Sequence, residues 1–206
     1  MSKKAIDTNH EEFERNIEDI INYGSEIIKD NSKRIDNQKS MLLESLLLKS
    51  TALWENFVSQ DLIYLVHLDS MCLKDKMELS QGTKLDLSLI RALLFADSYR
   101  NYYNINDSRG YFKEVLTPQY NLFAEITSEQ GRKINAVYKI RNYLSHYSAY
   151  ARKQLLKVYQ EQFRYRRFLE PGMFLMKHNG KYFERLMHNF AMVSTRMRRK
   201  LREEQS

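Results

Sequence analysis

The residues best equipped for chemistry stand together in one segment, Ala136-Val-Tyr-Lys-Ile-Arg141-Asn142-Tyr-Leu-Ser-His146-Tyr147. Arginine carries its charge at any physiological pH, and its planar fork matches phosphate oxygens. Histidine titrates near neutrality and can take or give a proton. Asparagine can orient a neighbouring side chain or bond an anion. On a helix turning about 100° per residue, Asn135, Tyr138, Asn142 and His146 form a polar row, while Val137, Ile140 and Leu144 face a core. Asn142 and His146 lie one turn apart and can meet the same ligand. Arg141 lies between core side and row, about 140° from His146 on an ideal helix. An arginine beside a core face needs a partner, because burying its charge alone is costly. Two readings stay open here. Arg141 and His146 hold a phosphate, or Arg141 caps a helix or pairs with an acid, Asn142 bonds to backbone and His146 is a surface residue at a helix end.

Other candidates are weaker. His10, His67, His178 and His188 have no mutual metal spacing, Cys72 is the single cysteine, and no His-Glu-x-x-His pattern occurs, so no metal site and no cofactor are expected. Gly131 and Gly172 form no phosphate loop. Tyr159, Phe163, Arg164, Tyr165, Arg166, Arg167 and Phe168 interleave rings with cations. That mixture suits a surface where bases stack and phosphates pair. It equally suits an amphipathic helix with Leu155, Tyr159 and Phe163 packed inward, the reading preferred for the aromatics. Arg196 to Arg202 form a terminal basic cluster that can meet an anion or favour its helix C-terminus. The row Arg100-Asn-Tyr-Tyr-Asn sets polar groups among aromatics without an evident mechanism.

The elements that must position these residues follow from composition. The 206 residues include only 6 glycines and 2 prolines, too few for the turns of a sandwich, barrel or Rossmann unit, and 43% hydrophobic residues suffice for a core. Residues 1–140 carry 18 Lys and Arg against 21 Asp and Glu, and residues 141–206 carry 15 against 5, so the formal charge of +7 arises entirely in the last third. A basic face of that kind meets phosphate or is a solvated helix surface. The polar start, Met1 to Asn9, and the shortness of apolar runs such as Ile63 to Val66 predict neither a targeting segment nor a membrane span, hence a soluble cytoplasmic protein.

Periodicity predicts helices over about 9–30, with a break near Gly24, and over about 33–68, with Trp54 as a core anchor. Residues 69–85 read as a loop. Asp86 is the expected N-cap of a helix ending near Tyr102, and residues 104–110 have turn chemistry. Thr117-Pro118 opens a short helical segment. Thr127 and Gln130 make a capping box for a helix to about Ser145. Further helices are expected over about 148–168 and 181–202, with turns at Glu170-Pro171-Gly172 and Asn179-Gly180. A hairpin around Met173 to Tyr182 is a second reading of that last stretch. The class is all-α, a bundle of antiparallel helices.

Arg141-Asn142-Tyr143-Leu144-Ser145-His146 resembles the signature of the HEPN superfamily. Its members carry Arg, often followed by Asn, Asp or His, and then His after four to six intervening residues; here four intervene and the first is Asn. The run from Leu47 to Val58 resembles the helix that packs on the motif helix in many members. The resemblance covers about 35–170 of a single HEPN-like domain, with 1–34 as an extra N-terminal helix and 171–206 as an extra basic C-terminal helix. It implies a metal-independent endoribonuclease in a toxin or antiviral defence role, with Arg141, Asn142 and His146 catalytic in a homodimer whose active site is composite. Tyr138, Lys139, Tyr147, Arg152, Arg164, Arg166 and Arg167 are the expected RNA contacts. An inhibitory or antitoxin partner is also implied. In one branch a tyrosine two residues after the His is modified by a partner nucleotidyltransferase; Ser148 stands there in this chain, so control of that type is not expected. The alternatives are a non-catalytic HEPN-type RNA- or nucleotide-binding regulatory subunit and a helical module whose basic face meets an acidic protein.

Overall fold

The computed structural model describes residues 2–30, 36–95 and 105–203. Among them every regular element is a helix and there is no strand. The helices are α1 (Ser2–Lys29), α2 (Asp36–Leu68), α3 (Met71–Lys76), α4 (Leu87–Phe95), α5 (Ile105–Val115), α6 (Ser128–His146), α7 (Ala149–Phe163), α8 (Pro171–Leu175) and α9 (Lys181–Glu203), with two short 3-10 segments at Pro118–Tyr120 and Leu122–Glu125. The chain divides into two compact units: Met1–Glu14, Trp54–Gly131 and Met192–Ser206 form the first, Arg15–Leu53 and Arg132–Ala191 the second. Each terminal helix supplies fully buried side chains to both units: Ile6 and Ile17 from α1, Met197 and Phe183 from α9.

In the first unit, Trp54 is fully buried as an anchor, and the Phe13 ring stacks on Phe57 at 4.3 Å between centroids. Phe112 stacks on Phe123 at 3.9 Å. Caps set the boundaries as the sequence predicts. Asp86 Oδ1 accepts from the Leu89 N–H at 2.8 Å, and the helix-end amides hold its carboxyl below its ordinary range. At the start of α6, Gln130 N–H donates to Thr127 Oγ1 at 3.1 Å while Thr127 N–H donates to Gln130 Oε1 at 2.9 Å. This is the reciprocal capping box. The stretch read as a loop, 69–85, contains α3, which buries Leu73 and packs on α5. The turn expected over 104–110 is instead the first half of α5 from residue 105 onward. Ile105, Ser108, Phe112 and Val115 are buried at spacings of three, four and three, a helical stripe that overrides turn-forming residue types. The predicted helix end near Tyr102 and the row Arg100 to Asn104 lie outside the described residues.

The second unit packs around aromatics. Tyr159 stacks on Phe174 at 3.8 Å, and Phe174 on Tyr182 at 4.7 Å. No break occurs at Gly24. A Cβ there would stand 2.2 Å from the Phe183 ring, so this glycine makes room for a neighbour rather than ending a helix. The turn expected at Glu170-Pro171-Gly172 is the start of α8, with proline in its first turn. No hairpin forms around Met173 to Tyr182. His178, Asn179 and Gly180 take left-handed conformations and lead into α9. Gly180 is required there twice over, since φ is +81° and a Cβ would meet Ile28 at 2.2 Å. The helix expected to reach Phe168 ends at Phe163. Arg164 turns left-handed with φ +54°, and the Tyr165 N–H donates to Tyr159 O at 2.9 Å, a Schellman-type stop.

Candidate functional site

The motif occupies the last turns of α6, within the second unit. Val137 and Ile140 are fully buried, as expected, and Leu144 is half-buried. The polar row holds only in part. Tyr138, expected on it and expected to contact RNA, is 1% exposed. Ala136, Val137 and Tyr138 are buried in succession, so this part of α6 is covered over a wider arc than one apolar stripe. A ring enclosed in that way cannot meet RNA.

Arg141 and Asn142 are half-buried, and the Arg141 Nη1 donates to Asn142 Oδ1 at 3.2 Å. Among the described residues no acid pairs with Arg141. The acid partner of the structural reading is therefore not found, while its surface histidine at a helix end is. A half-buried guanidinium with only an amide for company keeps donors for an anion. His146 is the last residue of α6 and is exposed. Tyr147 closes the helix in a left-handed conformation with φ +45°, its N–H donating to Tyr143 O at 2.8 Å. Ser148 then caps α7, its Oγ accepting from Ala151 N–H at 3.1 Å. The two helices are thus joined at a two-residue corner directly after His146.

A feature the sequence did not reveal stands behind that corner. Tyr143, inside the motif, is 6% exposed and its hydroxyl lies 3.1 and 3.2 Å from the two carboxylate oxygens of Glu170, donating to that group. Burial, then the hydrogen bond to Glu170 and the Glu170 charge, push the Tyr143 hydroxyl pKa up, so it stays a donor. The Phe168 ring meets Tyr143 edge-on at 5.3 Å, and Tyr147 lies at 5.3 Å on Tyr143. The Arg152 guanidinium sits 4.4 Å above Phe168.

The basic residues divide into two kinds. Arg164, Arg166 and Arg167 are exposed in the second unit, on the turn after α7 rather than on a helix, and none has an acidic partner among the described residues. Lys139 is half-buried and also without one. The terminal cluster on α9, in the first unit, is committed. Arg198 bridges Glu14 at 2.8 Å and Glu11 at 3.3 Å, Arg202 meets Asp7 at 3.4 Å, and Arg196 meets Glu125 at 3.5 Å. Much of the excess charge at this end is therefore spent on acids that precede it in the chain.

The first unit also holds a polar set that sequence reading missed. His10, Asp61 and Ser194 are all fully buried. His10 Nε2 lies 2.8 Å from Asp61 Oδ2, and Nδ1 lies 2.9 Å from Ser194 Oγ and 3.1 Å from Ser194 O. Asn9 Nδ2 donates to Asp61 Oδ1 at 2.9 Å. Serine, histidine and aspartate in contact suggest nucleophilic catalysis, but no substrate can reach a set with no exposed surface. The signal was present: His10 falls on the Ile6, Phe13, Ile17 stripe, and Ser194 among Phe190, Val193 and Met197. A polar residue on an apolar stripe demands a buried partner.

Among the described residues no group of three His, Cys, Asp or Glu side chains can hold a metal ion, and no helix is long and apolar enough to cross a membrane. No family model, curated protein or solved structure matches the chain.

Proposed function

We propose that this chain is a HEPN-type endoribonuclease that acts as a homodimer on RNA, in a toxin or antiviral defence role. The observation that carries the reading is the pairing of a half-buried Arg141, which meets no acid among the described residues, with Asn142 one turn before an exposed His146 at a helix end. Arg141 holds the scissile phosphate and stabilises the charge that develops on it. Asn142 fixes the guanidinium through its Oδ1. His146 takes the proton from the ribose 2′-hydroxyl. The 2′-oxygen then bonds to phosphorus, the bond to the 5′-oxygen breaks, and an acid protonates that leaving oxygen. In a dimer the second His146 supplies this acid. The products are a 2′,3′-cyclic phosphate and a 5′-hydroxyl, and the nucleophile comes from the RNA itself.

The test is cleavage of single-stranded RNA in EDTA. Wild type cuts, His146→Ala loses about 10²–10⁴-fold in rate, and a substrate with 2′-deoxy linkages stays intact. Equal cutting by the variant, or cutting of the deoxy substrate, overturns the mechanism. Salt-sensitive RNA binding without cleavage by wild type points instead to a non-catalytic RNA- or nucleotide-binding subunit.

A further inference from the structure

We infer that Tyr147 is a base-stacking platform, with an unpaired base of the RNA laid on that ring beside the scissile phosphate. The inference rests on the reading of Arg141 and His146 as a phosphate site.

Three independent features of the corner point to it. The first is exposure: Tyr147 is 65% exposed and Tyr150, on the next turn, 72%. Large rings left this open directly after a phosphate-competent motif offer π-faces that any base can use. The second is the backbone. Tyr147 ends α6 in a left-handed conformation with φ +45°, as Arg164 ends α7 with φ +54°. The helix stops there, and the ring stands on the two-residue corner directly after His146. The third is support from behind. A series of rings runs from the core to the surface: Tyr159 to Phe168 at 6.1 Å, Phe168 to Tyr143 at 5.3 Å, and Tyr143 to Tyr147 at 5.3 Å. Glu170 anchors the middle of the series through the Tyr143 hydroxyl. Tyr147 is thereby held before any ligand arrives, which lowers the ordering cost of binding.

Charge agrees with the same ligand. Arg152 covers the Phe168 face and is itself exposed, and Arg166 and Arg167 stand on the turn before Glu170 with no acidic partner among the described residues. Cations in the same segment as the ring series suit a flexible phosphate backbone with splayed bases. In duplex RNA the bases are stacked on one another, so Tyr147 has nothing to receive. Glu170 is a positioning residue: it acts on RNA only through Tyr143 and Tyr147.

The experiment uses a short single-stranded RNA carrying one 2-aminopurine, whose fluorescence falls on stacking, and the same strand annealed to its complement. Tyr147→Phe quenches and binds as wild type does. Tyr147→Ala and Tyr147→Gly lose the quenching and bind single strands about ten-fold more weakly. Duplex binding is weaker throughout and indifferent to the substitution. Glycine adopts the left-handed conformation readily, so Tyr147→Gly keeps its melting temperature while losing affinity, which separates the platform from a folding defect. In cleavage, Tyr147→Ala raises KM and leaves kcat in place. Glu170→Ala raises KM by a smaller factor, and Glu170→Gln restores most of it. Single-strand binding by Tyr147→Ala equal to that of Tyr147→Phe overturns the platform, as does a duplex bound as tightly as the single strand. If wild type never cleaves RNA yet the Tyr147 dependence holds, the nuclease reading fails and the platform stands. If cleavage depends on His146 and not on Tyr147, the reverse is true.

Discussion

Two histidines, one in each unit, show how location rather than residue type assigns a role. His10 has what a catalytic histidine is usually given: a carboxylate on one nitrogen and a serine on the other, both within 2.9 Å. It is also fully buried, so the arrangement holds the fold together. His146 has no such orienting acid among the described residues, yet it is exposed at the end of the helix that carries Arg141, an arginine that no described acid neutralises. Complete satisfaction marks a structural network, because every polar group already has its partner. Incomplete satisfaction at the surface marks a place where a ligand can supply what is missing.

The largest expected stability effect falls on the buried set. Removing the carboxylate in Asp61→Ala strands the His10 Nε2 and takes one of two acceptors from the Asn9 amide, which keeps the Phe57 carbonyl. Breaking one side of a buried charged pair costs about 3–5 kcal/mol, which lowers the melting temperature of a chain this size by roughly 10 °C. Thermal unfolding of the variant checks this. A loss under about 1 kcal/mol would mean the set is no more stabilising than a surface pair. His146→Ala, by contrast, belongs to an exposed helix end and should stay within about 0.5 kcal/mol of wild type.

The pH dependence sharpens the contrast. Burial pushes the His10 pKa down, but the Asp61 charge and hydrogen bond, the Ser194 carbonyl and Glu14 outweigh it and set the pKa above its ordinary 6.5. The folded state therefore holds the proton more tightly than the unfolded chain. A backbone carbonyl and a carboxylate both accept, so the doubly protonated ring satisfies both nitrogens. The sign follows: the stabilisation is fully present below about pH 6.5 and is lost as pH rises through the elevated value. Urea unfolding across that window should show stability falling with pH in wild type and a flatter profile in His10→Gln. An unchanged slope in the variant would remove His10 as its source.

The helical class was legible because breakers are rare and apolar residues recur at three and four. Thr127 with Gln130, and Asp86, were legible as caps because their bonds are local, reaching three residues along the chain. The motif residues were legible as types and spacing. What escaped was long-range. Nothing near His10 announces Asp61 or Ser194, which lie 51 and 184 residues away. Tyr138 was misplaced because one helix was read against a single core face. Glu170 escaped because its link to Tyr143 depends on the turn after α7, where Arg164 reverses the chain.

Charge offers the finest separation of the two regions. Arg198→Ala and Arg166→Ala change the net charge equally, so any difference between them is one of position. Arg198 is largely covered, and its guanidinium bridges Glu11 and Glu14. Its loss costs about 1 kcal/mol of stability through the ion pairs and the packing of its stem. It should leave RNA affinity unchanged at a given salt concentration, because its charge is already answered. Arg166 is exposed with no acid partner among the described residues, so its loss leaves stability within about 0.5 kcal/mol. If it answers a phosphate, the slope of log affinity against log salt becomes shallower by about 0.7 for a single strand. Titration of RNA at several salt concentrations, beside thermal unfolding, reads both numbers for both variants. Equal salt slopes would mean that net charge alone attracts RNA. A steeper loss of slope at Arg198 would move the nucleic-acid surface to the first unit, because the ion pairs with Glu11 and Glu14 would then be giving way to phosphate.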